Sequence, residues 1–214
     1  NEQWSSNRNV RISPMYDREQ ALGAVFYETA GWERPFWYES NKDLVAKFGD
    51  QVMPREGEWE SRWWSPIINA EHLQMRESAG IVDLSAFAIF DIIGPSALAV
   101  VQKAALRQMD VAVGRVVYTP ILGVNGGFKS DLTIMRLGQN HFRVVTGGAH
   151  GMADKKWFSD LLPADGTAQI TDLTSAYTTI GLWGPNARKI LQAITKADVS
   201  NEAFKFGTCK VIEI

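Results

Sequence analysis

Asp131 is the acid in this chain whose surroundings best suit chemistry. It follows Asn125-Gly126-Gly127 and opens a run rich in Ile, Leu and Thr. Tyr118 stands roughly opposite it on the incoming run. A carboxylate held at the mouth of a strand pair can take a proton from a reacting group or stabilise a neighbouring cation. The same spacing also describes a polar strand-start residue facing water, and spacing leaves both readings open. His72 lies among Ile68, Met75 and Ala79 at helical spacing; a lone His there is more simply a core or boundary group, and we assign it no catalytic role. The single cysteine, Cys209, excludes an intrachain disulfide and a multi-cysteine metal site, so no metal site is expected.

The elements that must position Asp131 are legible around it. Val116–Leu122 and Leu132–Leu137 are apolar runs joined by a turn whose Asn-Gly and Gly-Gly pairs supply positive φ angles, the signature of a β-hairpin. His141–Thr146 follows after Gly138-Gln139-Asn140, and three strands this close must form a mainly antiparallel meander. Gly147–Gly151 then leads into a helix, MADKKWFSDLL. These glycines do not fit a dinucleotide fingerprint and are expected to form a turn or a close approach of backbone to ligand.

On either side the chain shows one arrangement twice. Ile89–Ile93 runs into Gly94-Pro95-Ser96 and the helix ALAVVQKAAL; Thr179–Trp183 runs into Gly184-Pro185-Asn186 and ARKILQAI. A repeated strand, Gly-Pro, helix unit predicts an α+β arrangement with helices on one face of a sheet. Ala168–Leu173 is a further strand. Upstream, Asn1–Pro14 reads as a polar arm and Tyr16–Thr29 as a helix with Ala21, Leu22, Val25 and Phe26 on one face. GWERPFWYES reads as a packed aromatic loop, Lys42–Gly57 as a surface excursion, and Ile67–Ser78 as a helix capped by Gly80. Lys210–Ile214 is β-prone, and the chain is expected to be a fragment.

Composition bounds the function loosely. With 214 residues, 45% hydrophobic and 21% charged, the chain can bury a sizeable core. A formal net charge of −2 gives no reason to expect nucleic acid or an anionic membrane. No apolar run approaches the roughly 20 residues of a membrane span. The lone cysteine and the absent apolar leader suggest a reducing compartment, the cytoplasm. Eight tryptophans are the one unusual feature.

Several ordered motifs together carry a resemblance. YDREQALGAVFYETAGWERPFWY, ESAGIVDLSAFAIFDIIGPSA, GRVVYTPILGVNGGFKSDLTIMRL, LWGPNARKILQAIT and VSNEAFKFGT resemble the folate-dependent aminomethyltransferase family, the glycine-cleavage T-protein and its relatives. GWERPFWY points to the folate domain of dimethylglycine and sarcosine dehydrogenases or oxidases. The resemblance implies an α+β, aminomethyltransferase-like fold with antiparallel or mixed sheets around a folate pocket. It implies a discontinuous first subdomain, 1–88 and 174–214, and an inserted ferredoxin-like subdomain, 89–173, with the C-terminal part of the fold and a pterin-binding Glu following Ile214.

The resemblance also assigns roles. Asp131 matches the family's catalytic Asp beside the pterin, Tyr118 a folate-contacting position, and Thr146 a place where many T-proteins carry Asn. It implies tetrahydrofolate as cofactor and capture of a one-carbon unit from an iminium-type donor such as oxidised dimethylglycine or sarcosine. FAD would belong to a flavin dehydrogenase domain outside this chain. The rival expectations are a demethylase or methyltransferase acting on a sulfonium or N-methyl donor, and a folate-binding or docking module without chemistry, its Trp-rich stretches meeting the flavin domain.

Overall fold

The computed structural model describes residues 4–214. In chain order the elements are α1 (Tyr16–Ala21), β1 (Ala24–Thr29), β2 (Trp32–Tyr38), α2 (Asp43–Phe48), α3 (Glu58–Ser61), α4 (Pro66–Glu77), β3 (Gly80–Asp83) and β4 (Ala88–Ile93). Then come α5 (Ala97–Ala104), β5 (Val116–Leu122), β6 (Phe128–Gly138), β7 (His141–Thr146), α6 (Gly151–Ser159), β8 (Gln169–Asp172), β9 (Ile180–Trp183) and α7 (Ala187–Ile194). The chain forms two compact units, Asn1–Leu84 with Thr178–Ala193 and Ser85–Tyr177 with Ile194–Ile214.

The first unit holds two antiparallel strand pairs, β1–β2 and β3–β9. The helix expected over Tyr16–Thr29 ends at Ala21, because Gly23 takes φ +71° and reverses the chain. Val25 and Phe26, spaced for a helix, lie on β1, and the Phe26 ring packs 4.6 Å from that of Tyr16. WERPFWY, expected as a loop, is β2. A tight turn with Ala30 and Gly31 both at positive φ joins it to β1. Pro35 is tolerated because each strand of a two-stranded sheet is an edge and the register shifts between Val25 and Phe26.

α4 forms where expected, with Pro66 in its first turn and the Ser65 hydroxyl accepting from Ile67 N–H at 3.2 Å. His72 is exposed, not part of an apolar stripe, and Gly80 starts β3 while the helix closes at Ser78. The polar arm expected over Asn1–Pro14 lies for residues 1–3 outside the described residues; the rest contains a short turn, Ser5–Asn7, and a bridge from Arg11 to Trp32.

The second unit is a five-stranded antiparallel sheet in the order β5-β6-β7-β4-β8. Without β5 the order is that of a ferredoxin-like β-α-β-β-α-β fold, and β5 extends it as an edge strand hydrogen-bonded to β6. Phe90, Ile92, Leu132, Ile134, Phe142 and Val144 alternate along the strands and bury one face against Val100, Val101 and Phe158 of α5 and α6. Lys210–Ile214, expected to be β-prone, forms no strand; the neighbouring Thr208 makes one bridge to Arg115.

Each unit contains one copy of the repeated turn. Gly94 takes φ +129° and Gly184 +110°. A methyl at Gly94 would sit 2.3 Å from the Thr167 carbonyl oxygen, and one at Gly184 would sit 2.4 Å from that of Ser78. Both positions demand glycine for the same two reasons, left-handed backbone and a neighbouring peptide in contact.

Candidate functional site

Strand alternation gives the five-stranded sheet two faces of opposite character. The inner face is the apolar core. The outer face carries Tyr118 from β5, Asp131 and Thr133 from β6, His141 and Arg143 from β7, and Asp91 from β4. Neither α5 nor α6 covers it.

Tyr118 and Asp131 meet on this face. Asp131 is paired with Pro120 and Tyr118 with Thr133, so the two side chains are diagonal neighbours, and the Tyr118 hydroxyl donates to Asp131 Oδ2. That bond, with the negative charge behind it, holds the Tyr118 phenol above its ordinary pKa. Tyr118 is 60% exposed and Asp131 is exposed, so both present polar atoms to incoming molecules. The hairpin that brings them together is as expected, with a tight turn at Gly123–Gly127 in which Gly126 has φ +75°. A register shift between Ile121 and Leu122 leaves Lys129 without a partner in the ladder.

Thr146 is not brought to this pair. It is paired with Leu132 and shares that residue's inner face, 3% exposed. Its hydroxyl donates to Asp154 Oδ2 at 2.6 Å, and Ser130 Oγ donates to the same oxygen at 2.8 Å. Ser130 immediately precedes Asp131. Asp154 belongs to the first turn of α6, where a carboxylate is favoured by the helix dipole. This buried acid with two hydroxyl donors joins α6 to the strand end that carries Asp131. Sequence reasoning missed it, although hydroxyls at two inner-face positions of neighbouring strands signal a need for a buried acceptor.

The glycines of 147–151 also differ in role from one of the two expected. Methyls at Gly148 and Gly151 would meet the Ala86 carbonyl oxygen at 2.1 Å and Ala88 Cβ at 2.3 Å. Their close approach is to the start of β4, and it seats α6 on the sheet.

Further along the outer face, Asp91 is buried at 3% exposure. Arg143 Nε donates to its Oδ1 at 2.8 Å and Nη2 to its Oδ2 at 2.9 Å, and His141 Nε2 lies 2.6 Å from Oδ2. Burial raises the Asp91 carboxyl, but Arg143 and His141 more than offset this and leave it below its ordinary pKa. Among the described residues no group of His, Cys, Asp and Glu could hold a metal ion, and no helix is long and apolar enough to cross a membrane.

Comparison with known proteins follows the same lines. The family profile described as GCVT N-terminal domain matches residues 15–214. The chain is 34% identical, over its whole length, to the 4-methylaminobutanoate oxidase (formaldehyde-forming) of Paenarthrobacter nicotinovorans, of which it covers 25%. It is 30% identical over 99% of its length to the mitochondrial pyruvate dehydrogenase phosphatase regulatory subunit of Mus musculus, covering 24% of that protein. It is 30% identical over 97% of its length to the mitochondrial sarcosine dehydrogenase of Homo sapiens, covering 26%. The chain thus spans about a quarter of each relative. Among solved structures, the glycine cleavage system aminomethyltransferase T of Bartonella henselae superposes with a TM-score of 0.67 at 24% identity, over 87% of this chain and 44% of that one. At that identity the likeness concerns the fold.

Proposed function

The chain belongs to the GCVT N-terminal domain family, and from that premise we propose that it takes part in tetrahydrofolate-dependent one-carbon transfer, receiving the unit from an iminium-type donor derived from an N-methylated glycine such as sarcosine or dimethylglycine. The observation that carries this reading is the Tyr118–Asp131 pair, exposed on the open face of the sheet.

The donor set fits a reduced folate. The exposed phenol ring offers an apolar plane beside a polar tip, and Asp131 offers a carboxylate acceptor to a ring or bridge N–H. Tetrahydrofolate, when bound, supplies the nitrogens that accept the one-carbon unit. The chain's own part is orientation and proton handling. Tyr118 fixes Asp131 through Oδ2, which leaves Oδ1 without a bond to Tyr118. Oδ1 orients an N–H and takes its proton, and the carboxylate's charge stabilises a neighbouring cation. General-base help of this kind is worth about a hundred- to ten-thousandfold. Thr146, its hydroxyl held by Asp154, serves from the inner layer by fixing the strand beside Asp131.

The donor would arrive from a flavin-bearing part of a longer protein, where a bound FAD would supply the two-electron oxidation of the N-methyl amine; two of the relatives are named as an oxidase and a dehydrogenase. In the first unit Trp59 and Trp63, 79% and 45% exposed, are side chains suited to meet such a domain. A reducing compartment, cytoplasm or organelle matrix, suits the single cysteine.

The relative named as a phosphatase regulatory subunit favours a second reading, a binding module without chemistry. Titration of the chain with tetrahydrofolate, followed by a transfer assay with an iminium donor, separates the two. Saturable binding with turnover supports the first reading and binding without turnover the second. No binding, by this chain and by the longer protein that contains it, rejects both.

A further inference from the structure

Arg143 is held from one side only. Its Nε and Nη2 form a side-on clamp on Asp91, and Nη2 also donates to the Tyr177 hydroxyl at 3.1 Å. The Tyr177 ring lies over the guanidinium, 4.3 Å from centroid to carbon. Among the described residues Nη1 makes no hydrogen bond, and the side chain is 20% exposed. The Tyr177 hydroxyl accepts from Arg143, so its own proton is available to donate, and the residue is 45% exposed. His141, its Nε2 on Asp91, stands two residues from Arg143 on the same strand and face. Buried Asp91 fixes the guanidinium and leaves Nη1 pre-organised.

This arrangement shares its face with Asp131. Arg143 is paired with Met135, four residues beyond Asp131 on the same strand, so the two sites lie about 13 Å apart along β6 and one strand across. That separation suits an extended molecule with a reacting centre at one end and an anion at the other.

We propose that Arg143, Tyr177 and His141 form a subsite for a carboxylate, holding one end of a molecule that reacts beside Asp131. Nη1 offers a charged N–H to a carboxylate oxygen, and the Tyr177 hydroxyl is a second donor beside it. The inference rests on reading the outer face as the transfer site. Two carboxylates present this chemistry there, the glutamyl end of the folate and the carboxylate of the glycine-type donor.

The test uses paired probes on the full chain. Tetrahydrofolate is compared with its diamide, in which both glutamyl carboxylates are amides, and sarcosine with sarcosinamide, each by calorimetric titration. The parent is expected to favour the carboxylate member of one pair by about tenfold or more, the worth of a hydrogen-bonded charge. Tyr177→Phe keeps the ring over Arg143 and removes only the donor; Arg143→Lys keeps the charge and removes the fork. Each is expected to reduce that preference at least about threefold while the carboxylate-free probe binds as before. Should Arg143→Lys not fold, Tyr177→Phe alone decides. The affected pair identifies the source, tail or donor. A parent that prefers neither carboxylate, or a preference untouched in the folded variants, overturns the subsite. Loss of both folates with the sarcosine preference intact would instead reject the folate reading and keep the subsite.

Discussion

The Tyr118 hydroxyl reaches Asp131 diagonally across the β5–β6 hairpin, from a residue paired with Thr133 to one paired with Pro120. The diagonal matters because it uses one oxygen of the carboxylate and keeps both side chains on the open face. An acid so placed is oriented without being buried.

Asp131→Asn preserves shape and removes the negative charge. It is expected to bind tetrahydrofolate within several-fold of the parent and to transfer the one-carbon unit at least about a hundredfold more slowly, with no change in thermal midpoint. Single-turnover transfer beside equilibrium binding measures both. Turnover at the parental rate would remove Asp131 from the chemistry.

The same contact sets a pH signature. The Tyr118 phenol is held above its ordinary value by its bond to Asp131, so it ionises later than a free tyrosine as pH rises. In Asp131→Asn the charge is gone, and one tyrosine should move back toward the ordinary range in an ultraviolet titration of tyrosinate. An unchanged titration would mean that the pair does not persist in solution.

Asp154→Ala leaves the buried hydroxyls of Ser130 and Thr146 without their acceptor. The expected loss is about 1–3 kcal/mol in chemical denaturation. The triple change with Ser130→Ala and Thr146→Val should recover part of it, since no donor is then stranded. A recovery of nothing would point to the helix dipole or packing as the acid's main role.

Gly94→Ala and Gly184→Ala should each destabilise by about 1–3 kcal/mol or more, because the added methyl meets a carbonyl oxygen and the backbone is left-handed. Gly126→Ala has the left-handed backbone but open space around it, and should cost about 1 kcal/mol. Denaturation midpoints of the three variants rank the two effects.

The hairpin, the meander and the two Gly-Pro units were legible in the sequence because each is written in local terms: a turn, a period of two, a forced backbone angle. The strand pair β1–β2 was not. Ala21, Leu22, Val25 and Phe26 satisfy a helical period, and the left-handed turn at Gly23 that breaks it looks locally like a tolerated glycine. Pro35 argued for a loop, and only its place in a two-stranded sheet makes it acceptable. At the site, the meeting of Asp131 and Tyr118 was legible because the turn fixes their register, while the role proposed for them came from family position. Thr146 was assigned to the ligand from family position, while the alternation of His141–Thr146 already puts it with Phe142 and Val144 on the inner side. Asp91 received no role from the sequence, since its partners come from fifty residues away.

Lys129, skipped in the strand ladder while its ammonium lies over the Trp157 ring, has an effect on evolvability. Because the ladder skips a residue between the Gly123–Gly127 tip and Asp131, insertions or deletions at the tip can be absorbed above that skip. The acid then keeps its outward orientation while the loop drifts in length, so a lineage can remodel what the tip touches without turning its reactive group into the core.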